Sequence, residues 1–176
     1  MTVMFWLFAG GALAFVSAVQ RDFSPNPKSA PQVVREGSFE LNTIADKALP
    51  FLTPEGERAW VDGWNPKPVY PPLESVAFQT NAVFRVDHGG EQSLWTILEA
   101  NLKDRVAEYV YVVAGERLSR VRVQIEPLTA SRCRVHVRYV HTALSEKGLD
   151  FIAIVTEESY AQKMRDWQRM ISAVIR

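Results

Sequence analysis

From residue 33 onward, apolar and polar positions alternate along most of the chain, and the period changes once, near its end. VVREGSFELNT (33–43) alternates at period two, the spacing that sends successive side chains to opposite faces of a strand. Thr43 and Asp46 stand three apart ahead of ADKALPFLT, as a helix-capping pair does, so a short helix is predicted there. Pro50 should kink or end it, because the ring removes a backbone donor and collides with the preceding turn. After PEGERAWVDGWNP (54–66), rich in turn residues, the prolines of KPVYPP permit at most an edge strand.

The next five segments are NAVFRVDH, SLWTILEANL, RVAEYVYVV, RLSRVRVQIEPL and SRCRVHVRYVHTAL. Turn signals separate them, namely His-Gly-Gly, Lys-Asp, Ala-Gly-Glu and Pro-Leu-Thr-Ala, so consecutive antiparallel strands are predicted. Then Leu149, Ile152, Thr156, Tyr160, Met164, Trp167, Ile171 and Val174 recur every three or four residues. That spacing predicts one helix of about 28 residues starting near Ser145, with Gly148 weakening its first turn by about 1 kcal/mol. The resulting order is α+β: a helix-grip fold, with a curved antiparallel sheet wrapped around a long C-terminal helix. A sheet bent around a helix tends to leave an apolar cavity between the two.

The first twenty residues, MTVMFWLFAGGALAFVSAVQ, carry no charge. As a helix, residues 3–19 would span about 25 Å, a little short of the roughly 30 Å hydrocarbon core. Val16-Ser17-Ala18 fits a signal-peptidase site, yet no basic residue precedes Arg21. Three readings stay open: an export signal, an uncleaved anchor that would associate with a membrane, and an extension from a wrongly assigned start. Residues 21–32, RDFSPNPKSAPQ, read as a Pro-rich linker, and the folded domain as 33–176. The protein is expected to be exported or membrane-anchored if residues 1–20 are real, and cytoplasmic otherwise.

Charge adds mainly exclusions. Twenty basic residues balance twenty acidic ones, so there is no bulk drive toward nucleic acid, and no nucleic-acid motif is visible. The single cysteine, Cys133, cannot form an intrachain disulfide, and with His88, His136 and His141 it makes no zinc-like spacing. No phosphate-cradling glycine loop, nucleophile elbow or His-Glu-x-x-His helix appears, so no metal or cofactor is expected.

Two stretches carry a more specific likeness. FELNTIADKALPFLTPEGERAWVDGWNP holds a Glu-x-x-Trp-x-x-Gly-Trp turn at Glu57, Trp60, Gly63 and Trp64, and HTALSEKGLDFIAIVTEESYAQKMRDWQRMI holds a Thr-Ala-Leu-Ser-Glu-x-Gly junction and a closing helix. Over about residues 33–176 the chain resembles the SRPBCC superfamily, also called START-like or Bet v 1-like, and within it the polyketide cyclase/dehydrase-related bacterial proteins. The resemblance implies the helix-grip fold and a hydrophobic ligand, since relatives carry lipids, hormones, polyketides or plant metabolites and a minority are cyclases or aromatases. It implies no particular reaction.

Candidate ligand contacts follow from facing. Residues 131–143 put Cys133, Val135, Val137, Tyr139 and His141 on one, mainly apolar face, where Tyr139 and His141 would be the polar handles of a cavity or simply bonded groups near the sheet end. Tyr160, Met164 and Trp167 lie on the helix stripe that forms the opposite wall. Trp95 and Tyr109 sit in strands apolar on both parities, and Trp60 and Trp64 would cap the core or cover a cavity. No catalytic residue is assigned.

On the outer face, Arg120, Arg122, Arg134 and Arg138 form either an anion-binding stripe for lipid headgroups or a solvated surface balanced by acids such as Glu99 and Glu108. If the hairpin closes over 128–130, Arg120 should face Arg138 and Arg122 should face His136. The expected function is a binding or carrier module for an apolar or amphipathic small molecule or lipid. A cyclase/aromatase-type enzyme using the same cavity is the alternative.

Overall fold

The computed structural model describes residues 31–175. The apolar segment 1–20 and nearly all of the linker lie outside the described residues. Among the described residues no helix is long and apolar enough to cross a membrane.

β1 (Gln32–Leu41) leads into α1 (Ala45–Ala48) and two 3-10 turns, Leu49–Leu52 and Gly56–Ala59. β2 (Lys67–Tyr70), β3 (Val83–His88), β4 (Glu91–Asn101), β5 (Val106–Val113), β6 (Arg117–Thr129) and β7 (Arg132–Ala143) follow, then α2 (Glu146–Ile154) and α3 (Glu157–Val174). The seven strands form one antiparallel sheet in the order β1-β7-β6-β5-β4-β3-β2. This is the helix-grip arrangement read from the sequence. β2 is an edge strand, as its prolines require.

Packing follows the alternation. On β7, Cys133, Val135, Val137, Tyr139 and His141 are buried, while Arg132, His136 and Arg138 face out. The inner face meets Leu41, Leu49, Leu52, Phe84, Ile97 and Ile171, all at most 1% exposed. α3 seats directly on β1, where Gly37 makes room: a Cβ there would stand 2.8 Å from Met164 Cγ. Tyr160 Oη ties the same helix to the sheet by donating to the Val137 carbonyl at 2.9 Å.

Four local expectations need correction. The terminal helix is two helices, broken at Val155 and Thr156, because the Thr156 side chain accepts the Ser159 N–H and starts a new N-terminus at extended backbone. The apolar stripe is therefore buried only in its second half: Tyr160, Met164 and Ile171 are buried, whereas Leu149 is exposed. Gly148 does more than weaken a turn, since a Cβ there would lie 2.1 Å from the Glu116 carbonyl oxygen. Thr43 caps nothing; α1 has Ile44 at its N-cap, and Asp46 pairs with Arg105 at 2.6 Å.

The fourth is register. β6 runs on to Thr129 with an irregularity between Pro127 and Thr129, which slides the pairing by two residues, so Arg122 faces Arg138, Arg120 faces Val140 and Gln124 faces His136. Carboxylates absorb the resulting charge. Arg122 lies 2.8 Å from both Glu99 and Glu108, Arg120 also pairs with Glu108, Arg138 lies 2.7 Å from Glu36, and Arg134 lies 2.9 Å from Glu40. These four outer arginines form a paired surface ladder, each beside at least one carboxylate.

Candidate functional site

A cavity of about 250 Å³ opens between the inner face of β3–β7, the 54–64 loop and α3. The sequence dictates its aromatic character. Trp95, on β4, stacks on Tyr111 of β5 with ring centroids 4.1 Å apart and on Phe84 of β3 at 5.7 Å. Cross-strand aromatic pairs of this kind contribute beyond their buried area. Trp64 meets Trp95 edge-on at 5.7 Å, and Trp167 meets Tyr139 edge-on at 6.4 Å.

The loop that supplies Trp64 is held by its own backbone. The Trp60 indole N–H donates to the Phe51 carbonyl at 2.6 Å, and the Trp64 indole N–H to the Pro54 carbonyl at 2.8 Å. At Gly56 the chain passes so close to Pro50 that a Cβ would lie 1.8 Å from its carbonyl oxygen. Gly63, at φ 71°, takes the left-handed turn that brings Trp64 back over the sheet, and His88 Nε2 lies 2.9 Å from the Asp62 carbonyl oxygen.

Besides His88 and Glu91, which are bonded to the Asp62 carbonyl and to Arg117, the cavity wall carries Glu57 from the loop and Lys163 from α3. The Lys163 Nζ lies 4.2 Å from the Tyr139 ring centroid and 5.3 Å from that of Trp167. Removal from water pushes the Glu57 carboxyl up to about 8, opposed by the positive charge of Lys163. It draws the Lys163 ammonium down to about 8, with Glu57 opposing and Arg117 reinforcing the change. Neither group makes a side-chain hydrogen bond or ion pair among the described residues.

Of the residues expected from sequence, Trp64, Trp95, Tyr109, Tyr139 and Trp167 line this cavity. Trp60, His141, Tyr160 and Met164 do not. Trp60 stands behind the wall, edge-on to Trp167 at 5.4 Å. Met164 packs over Gly37, and the hydroxyls of Tyr109 and Tyr160 are bonded to the carbonyls of Leu52 and Val137. His141 lies beneath Tyr139, stacked at 5.1 Å, with Nδ1 2.7 Å from Ser119 Oγ. Its removal from the cavity has a clear cause, since Tyr139 is the next inward residue on the strand and screens it. Burial, with the charges of Lys163 and Arg117, pushes the His141 imidazolium down to about 4, so the ring is neutral at pH 7. Cys133 is fully buried, and burial raises its thiol.

Sequence reasoning passed over Lys163 and gave Glu57 no role. A signal existed for both. Lys163 follows Tyr160 by three and precedes Trp167 by four, so it stands on the buried stripe, and Glu57 precedes Trp60 by three and Val61 by four.

Among the described residues, no group of three His, Cys, Asp or Glu side chains is placed to hold a metal ion. No family model matches the chain, and no curated protein matches it. Solved structures do. Norcoclaurine synthase from Thalictrum flavum, in complex with dopamine and hydroxybenzaldehyde, is similar with a TM-score of 0.60 at 10% identity, over 99% of this chain and 99% of that one. A hypothetical protein from Helicobacter pylori is similar with a TM-score of 0.60 at 14% identity, covering 100% and 99%. A protein from Arthrobacter aurescens gives 0.55 at 18%, covering 80% and 84%. The chain therefore has the Bet v 1-like helix-grip fold.

Proposed function

We propose that this protein binds an apolar or amphipathic small molecule in the cavity between sheet and α3. The observation that carries this reading is an aromatic wall interrupted by two charged-type groups, Glu57 and Lys163, that the protein itself leaves without partners. Both side chains are half-buried at the cavity wall, and a ligand with a polar end would give them partners. A volume of about 250 Å³ suits a molecule of one or two rings better than a whole phospholipid. Contact with Trp64, Trp95 and Trp167 would supply affinity at roughly 25 cal/mol per Å² of apolar surface, before ordering costs. The bound aromatic amine and aldehyde of the norcoclaurine synthase complex accord with a ligand of this size, at the level of fold alone.

The test is native mass spectrometry of freshly purified protein, with a panel of one- and two-ring aromatic ligands followed by Trp fluorescence and melting temperature. Ligands that shift both, with the shift lost on Trp95→Ala, support the cavity. A panel that moves neither sinks the carrier reading.

Glu57 and Lys163 also favour a second reading, an enzyme of the cyclase/aromatase type, because a neutral amine beside a protonated carboxyl can move protons near neutral pH. Lys163→Met and Glu57→Gln separate the two. A catalyst keeps ligand binding and loses turnover, whereas a carrier shows a change in binding only.

A further inference from the structure

Resting on the cavity reading, we infer that Lys163 is a nucleophilic amine that captures an aromatic aldehyde or ketone as a reversible imine, with Glu57 as the proton donor and acceptor. Three features of the site lead there. The Nζ stands at the cavity wall over the faces of Tyr139 and Trp167, whose rings fix where the nitrogen lies. It has no carboxylate bonded to it among the described residues, unlike Lys147, whose Nζ lies 2.6 Å from Glu116. The carboxyl that shares its cavity, Glu57, is likewise free of bonds and is stable in its protonated form near neutral pH.

The chemistry balances without any further reagent. The Nζ lone pair attacks the carbonyl carbon while the carbonyl oxygen takes the Glu57 proton. The Glu57 carboxylate then removes a proton from the nitrogen of the carbinolamine and passes it to the hydroxyl, which leaves as water and gives a protonated iminium; the carboxylate takes the last N–H proton, leaving a neutral imine and a protonated Glu57. Hydrolysis runs the same steps backward. The aromatic walls hold the ring of the carbonyl compound and keep bulk water from the bond.

Selectivity among lysines follows from protonation. A lysine at its ordinary value of 10.5 is almost wholly ammonium at pH 7, while one lowered to about 8 is neutral about 300 times as often. The weaker basicity of the amine offsets part of this. Glu57 and Arg117 act on it by charge, Tyr139 and Trp167 meet it with their rings, and His88, Glu91, Tyr109 and Tyr111 are the other titratable groups on the same cavity wall.

The experiment pairs 2-naphthaldehyde with its non-electrophilic analogue 2-naphthylmethanol at pH 7. Trp fluorescence reads binding of the alcohol, and cyanoborohydride reduction followed by intact and peptide mass spectrometry reads the aldehyde adduct. The expected result is a single adduct on the Lys163 peptide, formed at least tenfold faster than on Lys47, Lys67, Lys103 or Lys147. Lys163→Met, shown folded by circular dichroism, should lose the adduct and still bind the alcohol, and Glu57→Gln should slow trapping tenfold or more at unchanged alcohol affinity. If the alcohol binds and the adduct is absent or spread over surface lysines, the amine assignment is overturned and the cavity reading stands. If neither compound binds, both fall together.

Discussion

Two clusters of charged and polar side chains stand in this fold, one buried and one half-buried at the cavity wall, and they are finished differently. Near the start of β6, Arg117 and Glu116 are 3% and 4% exposed, yet Arg117 bonds to both Glu116 and Glu91, Glu116 pairs with Lys147, and the guanidinium lies 3.8 Å from the Phe151 ring centroid. Phe151 in turn packs edge-on against His141, which is bonded to Ser119. Across the cavity, Glu57 and Lys163 feel each other's charge and make no bond. The paired cluster ties β4, β6, β7 and α2 together, with only Arg117 Nε and Glu116 Oε2 lacking a hydrogen bond among its buried atoms in the described residues. An open pair contributes nothing comparable to folding, and its persistence in a cavity is what directs attention to ligand chemistry.

The comparison is broken most forcefully at Arg117. Arg117→Leu should cost about 3–5 kcal/mol in urea unfolding, because Glu116 is left buried without its guanidinium. A loss below about 1 kcal/mol would mean that the cluster is not structural. Second comes acid. His141 has its folded value lowered to about 4 from 6.5, so it contributes stability that is fully present above pH 6.5 and is lost as pH falls toward 4, on the order of 3 kcal/mol. His141→Gln should flatten that limb of the melting-temperature profile.

The open pair should respond with the opposite sign. Lys163→Met is expected to leave stability unchanged or raise it by up to about 1 kcal/mol, since an unbonded amine is replaced by an apolar chain of similar length. A loss of more than about 2 kcal/mol would place Lys163 with the paired cluster. Last is the pH slope of Glu57, whose size is discounted for solvent screening because the side chain is half-buried. Its folded value is raised from 4.5 to about 8, so the native state holds a proton the unfolded chain has released, and stability declines as pH rises between those values. Melting profiles of Glu57→Gln from pH 5 to 8 should lack that decline.

The architecture was legible because most strands carry their alternation locally and the turns between them carry glycine, proline or aspartate. Other features depend on competition between neighbours. Thr156 occupies a place on the apolar stripe, yet its hydroxyl is better used capping a fresh helix ahead of Glu157 and Glu158. The slide of β6 against β7 follows from extension of the strand past Pro127, which alternation alone leaves open. Five of the nine expected contacts line the cavity, whereas Lys163 stands on the apolar stripe as a charged residue and is passed over for that reason. Nothing local announces the Arg117 cluster, since Glu91, Glu116, Lys147 and Phe151 come from separate elements.

The two indole bonds of the 54–64 loop have a kinetic consequence. With Trp60 fixed to Phe51 and Trp64 to Pro54, the aromatic wall loses its freedom when the chain folds and has little left to lose when a guest arrives. Association should then run at the rate of simple encounter, with no slow loop-closing phase in stopped-flow traces, and differences among guests should appear in how long they stay.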